Sequence, residues 1–195
     1  MIRTTQDLLL ELSDYGTPQT RIQRMVKSGA LVKIRRGLYE TDPNVPAYLL
    51  AGVIYGPSYI SFSYALSRYG LIPERVETCT SATFGKNRSK LFQTALGNFS
   101  YRDIPKAAYP YGVHWQQEGA YSYLIAAPEK ALCDMLYIKP PAGSLGALQE
   151  MLFADLRLNE DAFASLQKEK LLSLTERYHT QNIKLLARLV EKGVA

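Results

Sequence analysis

Residues 17–40 read TPQTRIQRMVKSGALVKIRRGLYE, and two local patterns meet in them. Thr17-Pro18 is a helix start, with a hydroxyl at the cap and a proline at the first helical position, where its missing N–H is harmless. Ile22, Met25 and Val26 then recur at i, i+3 and i+4, an inward stripe, with Gln19, Thr20, Gln23, Arg24 and Lys27 on the opposite side. Gly29 closes the helix. Val32 and Ile34 next alternate with Lys33 and Arg35, the period of a half-buried strand, and Arg36-Gly37 supplies a turn before Leu38-Tyr39. Upstream, Thr4 stands three residues before Asp7, a capping-box pattern that opens a first helix carrying Leu8, Leu9 and Leu12 and able to end at Gly16. Helix, turn, helix and basic hairpin in that order outline a winged helix-turn-helix.

Charge falls on the same residues. The net charge is +5, and residues 1–40 hold seven Lys/Arg against four Asp/Glu, 41–149 nine against seven, and 150–195 seven against seven. Arg21, Arg24, Lys27, Lys33, Arg35 and Arg36 lie within sixteen residues that contain no acid. Charge alone fits a solvated surface as well as a polyanion partner. The local pattern favours the polyanion. A major groove admits one helix, Gln, Thr and Arg side chains reach base edges, and hairpin cations lie along phosphates. Were all six cations on phosphates, log K would fall against log salt with a slope of about −5.

Thr41-Asp42-Pro43-Asn44-Val45-Pro46 is a two-proline connector, which sets the expected domains at 1–42 and 47–195. The second reads as helix 47–55, an extended piece at Tyr59-Ile60 and helix 61–70. A strand follows over 76–83, then strands within 91–101 turning at Gly97-Asn98, and a hairpin of 113–117 with 121–126 around Gly119. Pro128 opens a helix, APEKALCDMLY, with Ala131, Leu132, Met135 and Leu136 on its apolar face, and helices over 145–156, 160–172 and 180–191 complete a helical tail. The fold class expected is α+β: a winged helix-turn-helix, then a larger α+β domain with a small, mostly antiparallel sheet. No apolar run approaches a membrane span and no signal peptide is legible, so the expected location is the cytoplasm. Cys79 and Cys133 read as reduced, mostly buried thiols.

Chemistry is sparse. His114 and His179 share no metal spacing, no glycine-rich loop follows a strand, and neither metal nor cofactor is expected. Glu129, Lys130 and Asp134 cluster within about one helical turn. They suit a buried polar network, a support for a loop or, as an enzyme alternative, the carboxylates of a metal-dependent nuclease. Lys86, Arg88, Lys90 and Arg102 lie among Phe84, Phe92, Phe99 and Tyr101. Such interleaving gives either a plain sheet with aromatics inward or an auxiliary phosphate-contacting surface.

LVKIRRGLYE, YISFSYALSRYGLIPE, TCTSATFGKNRSKLFQTALGNFSYRDIP and YLIAAPEKALCDMLY, in that order, resemble the AbiEi antitoxins, regulators of phage-defence (abortive infection) loci. The resemblance covers about residues 4–140. It implies a non-enzymatic, DNA-binding antitoxin that represses its own operon through double-stranded operator DNA and counters a nucleotidyltransferase-like toxin of the AbiEii type. Carried over by position, the DNA contacts are Gln19, Thr20, Arg21, Gln23, Arg24 and Lys27 on the helix and Lys33, Arg35 and Arg36 on the wing. Family members often carry a further helix before the helix-turn-helix, and here only three residues precede the first cap, so a thin core leaning on the second domain is expected. A transcription regulator of the same architecture without a toxin partner is the alternative.

Overall fold

The first helix begins where its capping chemistry puts it. In the computed structural model, which describes residues 1–193, the Thr4 hydroxyl accepts from the Asp7 amide and the Asp7 carboxylate accepts from the Thr4 amide. This reciprocal pair satisfies two otherwise orphaned donors. A short strand β1 (Ile2–Thr4) leads into helix α1 (Thr5–Glu11), and helix α2 (Pro18–Lys27) follows. Pro18 sits in the first turn of α2, but the Thr17 side chain makes no cap bond, so this start rests on proline geometry alone. Strands β2 (Val32–Arg35) and β3 (Leu38–Glu40) form the hairpin, and β1 adds to β3, giving a three-stranded sheet in the order β1-β3-β2. The hairpin closes through Gly37 at φ +82°, a left-handed position that suits glycine.

Two cores share these forty residues. Leu8, Ile22 and Leu31 make a small cluster of their own, joined by Leu9, Leu12, Met25, Val26 and Tyr39. Ile34 and Leu38 instead belong to the large core of the remaining chain. The hairpin therefore leans on the larger body, as a thin helical core requires.

After the connector come a 3₁₀ turn (Ala47–Leu50) and a short helix α3 (Ala51–Ile54), where the sequence pattern indicates one continuous helix. Next are β4 (Tyr59–Ile60), α4 (Phe62–Arg68), β5 (Cys79–Thr83), β6 (Lys90–Thr94), β7 (Gly97–Asp103), β8 (Val113–Glu118) and β9 (Tyr121–Ala126). They make one six-stranded sheet in the order β6-β7-β5-β4-β9-β8. Three of its five pairings are antiparallel, β6 with β7, β5 with β4 and β9 with β8, as a mostly antiparallel sheet requires, and two are parallel, β4 with β9 and β5 with β7. Each hairpin is antiparallel within itself, but each inserts its second strand beside a distant strand, and hydrophobic period does not report that choice of neighbour.

The 91–101 hairpin turns at Ala95–Leu96, two residues before the expected Gly97-Asn98, because Thr94 pairs with Gly97. The Thr94 hydroxyl accepts from the Leu96 amide at 3.1 Å and donates to the Gly97 carbonyl at 2.9 Å, so threonine makes this turn. Gly97 has a different reason to be glycine: a Cβ there would lie 2.9 Å from the Ala47 Cβ.

Helix α5 (Pro128–Ile138) runs through the centre, with Glu129 to Leu136 buried without interruption. Beyond it come α6 (Leu145–Gln149), a π-helical continuation (Glu150–Asp155), α7 (Glu160–Ala164), α8 (Lys168–Thr175) and α9 (Gln181–Glu191). The expected single helix over 160–172 breaks after Ala164. The Glu129 carboxylate accepts from the Gln167 amide at 2.9 Å and fixes that break. The cap at Asn159 is as read, accepting from the Ala162 amide at 2.8 Å. The end of the expected second unit, residues 194–195, lies outside the described residues.

Candidate nucleic-acid interface

All six expected positions of α2 that face away from the small core are exposed: Gln19, Thr20, Arg21, Gln23, Arg24 and Lys27. Ile22 is the residue that α2 buries, and Met25 and Val26 pack against the same cluster. The helix thus divides as its sequence period dictates. Arg24 and Lys27 occupy the last turn, where a cation is favoured by the helix dipole. The Arg21 guanidinium lies 5.4 Å from the centre of the exposed Tyr15 ring, which steers it along the α1–α2 turn.

On the hairpin, Lys33, Arg35 and Arg36 are exposed while Ile34 and Leu38 are buried. Lys33 faces Tyr39 across the ladder, and an irregularity between Lys33 and Arg35 shifts the register so that Arg35 faces Leu38. Such a bulge sharpens the local twist. Among the described residues the ion pairs are Arg3–Glu11, Arg157–Glu74, Lys130–Asp134 and the terminal amine with Glu40. None of them draws on the six cations of α2 and the hairpin. Nor does any acid stand between Asp14 and Glu40 in the chain.

Glu40 is the residue that sequence reading missed. It is fully buried, and its carboxylate accepts from the amides of Thr41 and Asp42 at 2.8 and 3.0 Å, from the terminal amine, and from the Tyr121 hydroxyl of β9 at 3.0 Å. Burial pushes this carboxyl up, but the bonds from the terminal amine, Asp42 and Tyr121 outweigh it and hold Glu40 below the usual carboxylate range. The signal was present in the alternation, since Glu40 shares a strand face with Leu38. Burial, and then the same bond to Glu40, push the Tyr121 hydroxyl up to about 12.

The second basic group divides. Lys90 stands opposite Tyr101, and Phe92 opposite Phe99, so Lys90 shares the sheet face of Phe92, Phe99 and Tyr101. Phe92, Tyr55 and Tyr101 are mutual ring neighbours at 5.2–5.8 Å on that face. Lys86 donates to the Gly56 carbonyl at 3.2 Å and lies 5.3 Å from the centre of the Tyr55 ring, and Arg88 donates to the Tyr55 hydroxyl at 3.4 Å. Arg102 follows Tyr101 and so points to the other face, where it lines a cleft of about 290 Å³ with Ser63, Thr80, Ser100 and Lys139. Strand β2 packs against β6. Burial raises the Tyr101 hydroxyl above its ordinary range.

The Glu129, Lys130 and Asp134 cluster forms a polar network inside the core. Asp134 accepts from the hydroxyls of Tyr59 at 2.8 Å, Ser61 at 2.6 Å and Tyr178, and pairs with Lys130 at 3.0 Å; Lys130 also donates to the Tyr178 hydroxyl. Burial pulls the Lys130 ammonium down and the Asp134 charge partly restores it. Glu129 takes a separate partner at Gln167, so the two carboxylates offered as a nuclease pair are directed to different work. Among the described residues no group of three His, Cys, Asp or Glu is placed to hold a metal. His114 and His179 are exposed, and the free thiols Cys79 and Cys133 are buried, burial pushing Cys79 up to about 12. No helix is long and apolar enough to cross a membrane among the described residues.

No protein-family profile matches the chain, and no curated protein matches it. Among solved structures, the crystal structure of the RV2827C protein from Mycobacterium tuberculosis is similar over 100% of this chain and 72% of its own, at 17% sequence identity and a TM-score of 0.54. At that identity the likeness is one of fold: an α+β architecture shared along the whole chain.

Proposed function

We propose that the protein is a DNA-binding antitoxin of the AbiE type, in which residues 1–42 are a winged helix-turn-helix that represses its own operon and the α+β body counters a nucleotidyltransferase-like toxin. One observation carries the DNA-binding part: Gln19, Thr20, Arg21, Gln23, Arg24 and Lys27 on α2 and Lys33, Arg35 and Arg36 on the hairpin are all exposed, and none of the cations is engaged in an ion pair among the described residues. In this reading α2 enters the major groove with its Gln, Thr and Arg side chains on base edges, and the hairpin cations lie on the flanking phosphates. The antitoxin part rests on the ordered resemblance along residues 4–140. Two free buried thiols fit a reducing, cytoplasmic setting.

The test is charge reversal. Arg24→Glu with Arg35→Glu abolishes binding to a duplex taken from immediately upstream of the gene, measured by fluorescence anisotropy, while co-expression with the product of the adjacent reading frame still protects growth. Retained binding by the double variant overturns the site. An adjacent frame with no nucleotidyltransferase character overturns the antitoxin role and leaves a regulator without a toxin partner.

A further inference from the structure

We infer that the duplex surface does not stop at the hairpin but continues onto β6 and the loop before it, where Lys86, Arg88 and Lys90 contact phosphates of the same double-stranded DNA. This rests on the DNA-binding reading and extends it to a part of the molecule outside residues 1–42. Three independent observations support it.

The first is continuity. Strand β2, which carries Lys33 and Arg35, lies against β6, which carries Lys90. Tyr55, Phe92 and Tyr101 form an aromatic floor beside it, and Lys86 and Arg88 are seated on Tyr55. Cations on one rigid face add along a phosphate backbone, whereas scattered ones do not.

The second is construction. The loop is shaped by one carboxylate, Asp103, which accepts from the Thr83 hydroxyl at 2.5 Å and from the amides of Lys86 and Asn87 at 2.6 and 2.7 Å. Asn87 at φ +53° and Gly85 at φ +64° complete the turn. The acid that ends this segment is thus consumed by one hydroxyl and two backbone amides, and Lys86 and Arg88 flank Asn87 on a fixed frame beside Tyr55.

The third is composition. No Asp or Glu stands between Glu77 and Asp103, the same exclusion of acids seen between Asp14 and Glu40. Among the described residues neither Lys86, Arg88 nor Lys90 is in an ion pair. Arg102 is left out of the surface because it points to the opposite face.

The experiment compares the full chain with the variant Lys86→Gln, Arg88→Gln, Lys90→Gln on a fluorescein-labelled duplex of arbitrary sequence, about 40 base pairs long, titrated between about 50 and 200 mM NaCl. Each lost phosphate contact removes about 0.9 from the slope of log K against log salt, so the triple variant has a slope shallower by about 2.7. Over that fourfold change in salt, wild type loses about 40 times more affinity than the variant does. Far-UV circular dichroism and a cooperative thermal transition establish that the variant is folded before its slope is compared, since Lys86 and Lys90 are half-buried. An unchanged slope, with binding still abolished by Arg24→Glu and Arg35→Glu, overturns this surface and leaves the winged helix intact. Wild-type protein that binds neither this duplex nor the upstream one overturns both.

Discussion

Asp134 shows how a residue suggestive of chemistry can be occupied entirely with structure. Its two oxygens meet three hydroxyls and one ammonium in a pocket without solvent. Removing it strands Lys130, fully buried, with the Tyr178 hydroxyl as its remaining partner. Asp134→Ala therefore lowers the unfolding free energy by about 3–5 kcal/mol, read from urea denaturation. Exchanging both members, Lys130→Met with Asp134→Leu, costs less than Asp134→Ala alone, because no charge is then left uncompensated. A double variant weaker than the single one would show that the network holds the fold by more than charge pairing. The sequence places Lys130 and Asp134 one turn apart on a helix, a spacing that allows a buried polar network but leaves a loop support or a carboxylate site open. Tyr59, Ser61 and Tyr178 were not legible, since they arrive from β4, from the cap of α4 and from the loop between α8 and α9.

At the level of elements, several local signals were readable, although the expected Thr17 cap makes no bond. The Thr4–Asp7 capping box, Pro18 in the first turn of α2, the Gly37 turn and the Asn159 cap all act within a few residues, and each stands where the sequence places it. The exposed polar face of α2 and the alternation of the hairpin were legible for the same reason. What escaped depended on distant contacts. The helix expected over 160–172 breaks where the Gln167 amide donates to Glu129, thirty-eight positions away. The 91–101 turn moved because Gly97 is not a turn residue but a point of close approach. Gly97→Ala sets a Cβ against Ala47 in a conformation, φ +137°, that side chains rarely adopt. It lowers stability by about 1–3 kcal/mol, measured by thermal unfolding. A change of only a few tenths would mean that the β6–β7 hairpin and the 3₁₀ turn slide apart without cost.

For the whole molecule, Glu40 ties the first forty residues to the hairpin of β8 and β9 through Tyr121. Its carboxyl is lowered in the folded chain relative to the ordinary value of 4.5. A depressed acid stabilises fully above its unfolded value, and that contribution is lost as pH falls through the folded one. The melting-temperature gap between wild type and Glu40→Gln is accordingly constant from pH 7 to about 5 and narrows progressively below about 4.5. A gap independent of pH down to about 3 would mean that the carboxylate charge is not what holds this joint. Sheet order, too, is a property at this scale. The two parallel pairings are decided by which hairpin strand reaches the interior, and no stretch of sequence states it. Ile34 and Leu38, finally, make the hairpin part of the main core while its Lys33, Arg35 and Arg36 look outward. The first forty residues are consequently not a detachable cassette: cut free of the body behind them they would bare Ile34 and Leu38, so a graft of this hairpin onto another protein must carry the surface that covers those two side chains.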